Sequence, residues 1–418
     1  MRRESLYFHL DFRRLWAGET VAEFGTFVGQ TVLPILAATV LAATPFQMGL
    51  LTAAETAAFL LVGLPAGVWV DRMRRRRLML RADLIRAALL LTVPIAWWAG
   101  WLTLTQLIVV ALVVGVATVF FDIAYQSYLP SLVSRERLLE GNSKLQASQS
   151  VAQVVGPGIG GLLTQLAGAA NAVLVTGAGF LTSAFFLLRI RTPDPEPEPH
   201  DNPRIWPQIA EGLHFVFGNR NLRAIVCATG SSNFAGGALT AVQVLFLIRD
   251  VGLPPAAVGI MFTAYGAGGV LAALTSSTIT RRIGQARSIW FVPMLTWPAA
   301  LLVPFAAPGW RVGLAVAGPI IYSFGGIVYN IAQVSYRQAI CPDKLLGRMN
   351  ASVRFVVWGT IPLGGLAGGA LGEWIGLRET VWVTAVLSSL AVLWLVCSPL
   401  RHLRDIPATP EAEPATPR

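Results

Sequence analysis

Twelve apolar stretches, each long enough to cross a bilayer as a helix, follow one another along this 418-residue chain. They lie at roughly 16–41, 46–70, 78–100, 104–127, 143–166 and 170–190, then at roughly 222–248, 255–280, 288–306, 311–335, 347–372 and 378–398. A spanning helix needs about 20 predominantly apolar residues. Composition fits that reading: 54% of residues are hydrophobic and 13% are charged, about half the charged share of a soluble domain. The expected fold class is all-α and membrane-embedded, with twelve helices in two six-helix bundles. The charged stretch from Met1 to Leu15 leads into a first run without a small-residue cleavage site, so a retained first helix is expected.

The arginines orient the helices. With both termini cytoplasmic, 27 of the 32 basic residues fall on the cytoplasmic side. Arg249, Arg311 and Arg378 lie outside, and Arg86 and Arg354 lie within runs. That asymmetry is the positive-inside pattern of an inner-membrane protein. Trp97, Trp98 and Trp101 cluster at the outer end of the third run, as an interfacial aromatic belt does.

The halves are joined by Thr192-Pro-Asp-Pro-Glu-Pro-Glu-Pro-His-Asp-Asn-Pro203, whose alternating proline and acid can neither propagate a helix nor build a core. The mildly amphipathic segment from Gln208 to Asn219 is expected to lie along the membrane surface. The expected divisions are a bundle over 1–191, a cytoplasmic linker with a surface helix over 192–220, a second bundle over 221–403 and a disordered tail over 404–418. The halves echo each other. Arg137-Leu-Leu-Glu-Gly-Asn-Ser leads into Gly156-Pro-Gly-Ile-Gly-Gly161, and Lys344-Leu-Leu-Gly-Arg-Met-Asn leads into Pro362-Leu-Gly-Gly365, about 205–207 residues later. Parallel six-helix repeats suit a transporter whose bundles rock about a central site.

Several function classes are excluded. The formal net charge is +10, but the basic residues sit between apolar runs and make no nucleic-acid face. Cys227, Cys341 and Cys397 are scattered, and His9, His200, His214 and His402 all lie outside the runs, so neither a disulfide framework nor a metal site is expected. No H-E-x-x-H and no G-x-x-x-x-G-K-[ST] occurs, which argues against a membrane metalloenzyme and against ATP-driven transport.

Two motifs narrow the class further. The second and third runs are joined by Gly67-Val-Trp-Val-Asp71-Arg72-Met-Arg74-Arg75-Arg76-Arg77. A positive-inside anchor explains the arginines but not Asp71 at the helix end or Gly67 one turn before it. The fifth run carries Gly156-Pro157-Gly-Ile-Gly160-Gly161, where proline bends a helix and glycines let a neighbour approach backbone to backbone. Gly364, Gly365, Gly368, Gly369 and Gly372 repeat the small-residue theme in the eleventh run.

These segments resemble the major facilitator superfamily. The first motif is similar to its loop signature G-x-x-x-D-R-x-G-R-[RK], with Arg74 in place of the usual glycine. The second is similar to the G-P-x-x-G-G core found in its exporters, without the upstream glycines. Phe12-Arg-Arg-Leu-Trp16, Pro65-Ala-Gly67, Asp83-Leu-Ile-Arg86, Asn142-Ser143, Gly347-Arg348 and Pro362-Leu-Gly-Gly365 extend the likeness, which is to the branch of the enterobactin exporter and the macrolide efflux permeases. The resemblance implies secondary active efflux of a bulky amphipathic molecule, proton-driven, by a protein with no cofactor and taken as monomeric. Import of a small metabolite and a non-transporting sensor are the alternatives. It also implies that Gly67, Asp71, Arg72 and Arg75, with Asp122 on the fourth run, lock the cytoplasmic face. Asp122 stays open between that role, a protonation site and no role.

Charges inside a membrane are costly and mark function. Glu23 and Glu55 are the carboxylate candidates for proton coupling or substrate binding, with Arg354 as a cationic counterpart to either. Structural pairing is the competing reading for Glu23. Glu19 lies nearer the cytoplasmic edge, where water can solvate it. Asp83 and Arg86, three apart, are expected to satisfy each other. Phe27, Gln30, Asn233, Gln243, Tyr265, Asn330 and Trp358 are candidates to line a cavity, although a buried Asn or Gln serves equally as helix glue.

Overall fold

In the computed structural model, residues 6–133, 137–193 and 205–405 are described, except for the side chains at 64, 65, 67, 68, 71, 205–209, 343, 344, 346 and 347. Most of the expected linker and tail therefore lie outside the described residues. Among the described residues every regular element is helical. The first six long helices are α1 (Leu10–Thr39), α2 (Pro45–Asp71), α3 (Arg75–Trp98), α4 (Leu104–Leu132), α5 (Leu138–Ala167) and α6 (Ala169–Arg189). The short α7 (Ile205–Gly218) follows, and then α8 (Arg220–Leu245), α9 (Pro255–Ile283), α10 (Gln285–Thr296), α11 (Val312–Ile340), α12 (Asp343–Ile375), α13 (Leu377–Leu390) and the single turn α14 (Leu393–Val396).

Ten of the helical segments are long and apolar enough to cross a membrane. α3 and α5 are long enough, at 24 and 30 residues; composition keeps them out of that set. α3 carries Arg75, Arg76, Arg77, Arg81, Asp83 and Arg86, and the apolar part of α5 is diluted by Gln153, Gln165, Gly156, Gly158, Gly160 and Gly161. Both pack inside the N-terminal bundle, which completes the twelve. The helices outrun the apolar stretches mainly at the arginine-rich face: α1 begins at Leu10, α5 at Leu138 and α12 at Asp343, while α4 ends at Leu132. Hydrophobicity reports only the part of a helix in hydrocarbon, and the polar ends continue into the headgroup zone. The ninth run is α-helical only as far as Thr296; Pro298 and Pro304 turn residues 297–305 into 3₁₀ helix.

The two bundles share one plan. α1 packs on α5 and α6 as α8 packs on α12 and α13, and α4 packs on α2 and α3 as α11 packs on α9 and α10. Between bundles α2 meets α12 and α5 meets α9, which are equivalent seams under the same exchange. Gly168 and Gly376, with φ of 84° and 101°, make the direct turns from α5 to α6 and from α12 to α13, in a backbone region that only glycine adopts freely. They lie 208 residues apart. Gly156, Gly160 and Gly161 correspond at the same offset to Gly364, Gly368 and Gly369, since Gly156 and Gly160 face α1 as Gly364 and Gly368 face α8. The echo in the sequence is thus real, but its true register differs from the proline-aligned one by about one helical turn.

α7 covers the segment where a surface helix is expected, and it docks on the second bundle. Its Glu211 pairs with Arg348, and its Val216 is buried with Leu222, Met349 and Val353.

Candidate functional site

α1 places Glu19, Glu23, Thr26, Phe27 and Gln30 on one stripe, since residues three and four apart share a helix face. The opposite side of α1 carries Gly18, Gly25 and Gly29. A Cβ at Gly25 would stand 3.2 Å from the Thr176 carbonyl oxygen of α6, and one at Gly18 would stand 3.1 Å from Phe186 Cβ. Small residues thus seat α1 on α6 and turn the acidic stripe inward. Thr118, Phe121, Asp122, Tyr125 and Gln126 of α4 face it, with Asn142, Gln146 and Gln149 of α5, Arg86 of α3 and Phe180 of α6. Together they line a cavity of about 860 Å³ in the half of the bundle nearer the arginine-rich face, which is ample for a drug-sized molecule.

Hydrogen bonds order part of the wall. Gln149 Nε2 donates to Glu23 Oε1 at 3.0 Å, and Gln146 Nε2 donates to Gln149 Oε1 at 3.0 Å. Arg86 pairs with Asp83 as the spacing implied; the two residues are 3% and 0% exposed. Its guanidinium also lies 4.3 Å from the Phe121 ring centroid and 4.1 Å from that of Phe180. Asp122 is exposed to the cavity, and the cations whose fields reach it are Arg86 and, from the other bundle, Arg354. Glu19 also lines the cavity, and its Oε2 is sealed from solvent without a hydrogen-bond partner among the described residues. That corrects the edge-solvated placement.

Other expected residues fall elsewhere. Arg75 Nη1 donates to the Ser127 carbonyl oxygen at 3.0 Å, and no ion pair among the described residues joins it to Asp122. Asp122 lies five residues further along α4, about 7.5 Å deeper, so the expected Arg75–Asp122 contact of the lock is not formed in this conformation. Arg72 caps the C-terminus of α2 and is exposed. The side chains at Gly67 and Asp71 lie outside the described residues. Arg354 makes no ion pair with Glu23 or Glu55 among the described residues; its guanidinium lies 5.6 Å from the Trp358 ring centroid. Glu55 is not in the cavity wall, and its Oε1 is buried without a hydrogen-bond partner among the described residues.

Of the cavity candidates, Phe27 and Gln30 line this cavity. Asn233 is glue, donating to the Val357 carbonyl oxygen at 2.8 Å, and Asn330 accepts from Gln333 at 2.9 Å. Gln243 and Tyr265 lie off this wall. Trp358 packs on Phe59 of α2, ring centroids 4.9 Å apart, at the bundle interface. Tyr125, Gln146 and Gln149 were missed. Their helices are legible in the sequence, but which face of α4 and α5 turns inward is set by packing. Among the described residues no three His, Cys, Asp or Glu side chains are gathered to hold a metal ion.

The opposite face is closed. A Cβ at Gly161 would stand 2.6 Å from the Pro255 carbonyl oxygen of α9 and 2.9 Å from Gly259 Cα; one at Gly49 of α2 would meet Gly365 and Gly369 of α12 at the same distances. Arg249 Nη2 donates across the bundles to the Ala43 carbonyl oxygen at 2.9 Å, and the Phe46 amide donates to Glu373 at 3.3 Å. Among the described residues α4 and α11 form no comparable seam at the arginine-rich face.

The profile of the Major Facilitator Superfamily matches residues 15–359 and 225–417. The multidrug efflux pump Tap of Mycolicibacterium fortuitum is 27% identical over 365 residues, covering 84% of this chain and 87% of that protein. Macrolide efflux protein A of Streptococcus pyogenes is 21% identical over 403 residues, covering 95% and 97%. A bacterial homologue of the iron transporter ferroportin, 16–17% identical, covers 93% of this chain and 98% of its own in two states. The TM-score is 0.75 to its inward-facing state and 0.58 to its outward-facing state.

Proposed function

This chain belongs to the major facilitator superfamily, a transporter and not an enzyme, and from that premise we propose that it exports a bulky amphipathic molecule from the cytoplasm in exchange for protons. The observation that carries the reading is the cavity of about 860 Å³ that sets Glu19, Glu23 and Asp122 beside Phe27, Phe121 and Tyr125. Aromatic surface receives the apolar body of a substrate, and the carboxyl groups supply sites that a proton can occupy. Substrate in the cavity and a proton on its carboxyl groups exclude each other, so the proton leaves to the cytoplasm as substrate binds, and a proton is taken up from the other side once substrate has gone. Glu23 is the leading proton carrier because Gln149 holds its side chain at the cavity wall.

The arginine-rich face is assigned to the cytoplasm by the positive-inside rule. Loading occurs in the conformation described, with the Gly161–Gly259 and Gly49–Gly369 seams shut; parting these and closing α4 toward α11 turns the cavity outward. Export as the direction is supported by the glycine–proline motif, whose Gly156 and Gly160 face α1 while Gly161 faces α9, and by efflux pumps among the relatives. The drive is adequate. A charge crossing 100 mV releases about 2.3 kcal/mol, and with about 1.4 kcal/mol per tenfold ratio one proton sustains a gradient of tens-fold for an uncharged substrate, whereas one proton exchanged for a monovalent cation moves no net charge and draws on the pH difference, about tenfold per pH unit. The test is uptake of a panel of amphipathic drugs by everted membrane vesicles with an imposed pH gradient. Uptake abolished by a protonophore is expected. Uptake that a protonophore leaves intact rules out proton coupling, and accumulation in the opposite direction rules out export.

A further inference from the structure

We propose that this cavity selects organic cations and rejects anions of the same shape. The inference rests on the cavity being the substrate site, and it adds the charge class. Glu19, Glu23 and Asp122 all line the wall, and among the described residues no ion pair joins any of them to a cation. Arg86, the cation in the same wall, is already committed to Asp83 and lies between the rings of Phe121 and Phe180. An entering molecule therefore meets carboxyl groups that no ion pair holds among the described residues, and a cation can take the place of a proton on them.

A second, independent observation is Glu19 Oε2, sealed from solvent and without a hydrogen-bond partner among the described residues. Leaving a buried acceptor unpaired is costly, and a donor or positive charge on a ligand removes that cost. The chemistry also decides which cation. The carboxylates are not gathered to chelate a metal ion, and the volume of about 860 Å³ calls for a large body. Phe27 and Tyr125 add aromatic surface, which attracts a cation through its ring face, as Phe121 and Phe180 already do for Arg86. The class that fits is a bulky organic cation with an apolar or aromatic body.

The experiment compares two ions of nearly equal size and shape and opposite charge, tetraphenylphosphonium and tetraphenylborate. Binding to the full chain in lipid nanodiscs is measured by equilibrium dialysis, with the partition into empty nanodiscs subtracted. Tetraphenylphosphonium is expected to bind about tenfold or more tighter than tetraphenylborate. Glu23→Gln and Asp122→Asn are each expected to weaken the cation and narrow the difference, while Glu379→Gln, an exposed residue outside the cavity wall, leaves both ions unchanged. Equal binding of the two ions, preference for the anion or binding of neither overturns the inference, as does undiminished cation binding in both cavity variants shown to be folded by thermal melting. Failure here with gradient-driven drug uptake intact removes only the charge selectivity. Cation binding that persists without gradient-driven uptake removes only the export reading.

Discussion

Gly161→Ala places a methyl group where no space exists. The new Cβ would stand 2.6 Å from the Pro255 carbonyl oxygen and 2.9 Å from Gly259 Cα. Non-bonded heavy atoms settle at about 3.5–4.0 Å, so α5 and α9 must part by nearly 1 Å, and both obstacles are backbone that cannot rotate away. Overpacking of this kind costs about 1–3 kcal/mol. The cost falls on the state whose outer seam is shut and is absent once the bundles have rocked apart. At about 1.4 kcal/mol per tenfold, the ratio of outward-open to inward-open molecules should rise roughly 5- to 150-fold. The same change adds a good helix former to α5, so overall stability is a poor readout and the population is the right one. Fluorophores at Val40→Cys and Trp310→Cys, both exposed near the closed face on opposite bundles, report it by single-molecule energy transfer after Cys227, Cys341 and Cys397 are replaced. Gly313→Ala, with nothing within 4 Å of its would-be Cβ, is the control. A Gly161→Ala population indistinguishable from the parent would refute the claim that this glycine holds the seam shut.

Other substitutions probe the remaining parts. Single cysteines at Thr192 and Gly252 should differ in labelling by an impermeant thiol reagent added to intact cells, with Gly252 labelled and Thr192 protected; equal labelling would refute the topology. Glu23→Gln should reduce gradient-driven uptake by everted vesicles roughly 5- to 150-fold, the range of a coupling free energy of about 1–3 kcal/mol between two ligands, and full uptake would remove Glu23 as proton carrier. Asp83→Asn leaves Arg86 buried without its counter-charge, a loss of about 3–5 kcal/mol; the thermal midpoint should fall sharply, and an unchanged midpoint would show that the pair contributes nothing.

The architecture was legible because lipid imposes a simple rule. Twelve long apolar runs, arginines on one face and a six-plus-six echo require no knowledge of packing. The Asp83–Arg86 pair was legible for the same reason: both partners lie on one helix, and their spacing alone brings them together. The site was only half legible. Glu23, Phe27 and Gln30 follow from the spacing on α1. Asp122 was noticed, yet its place in the cavity wall was not, because the loop motif pointed to Arg75 while Arg75 reaches Ser127 instead. Pairing across helices depends on depth and rotation, and a few ångströms along α4 decide it. Glu19 was underrated because its nearness to the helix start says nothing about the α3 and α4 side chains that share its cavity wall. The repeat register was misjudged for a related reason: Pro157 and Pro362 attract the eye, but glycine contacts set the true offset of 208.

The central claim is that movement of a proton and movement of substrate are coupled through one cavity. The most direct measurement reconstitutes the purified chain in liposomes with a dye substrate found in the vesicle assay, imposes a pH gradient, and then reverses it. The account predicts that dye flux reverses with the gradient and that Glu23→Gln abolishes the dependence. Dye flux that keeps its direction and rate when the gradient is reversed would contradict it.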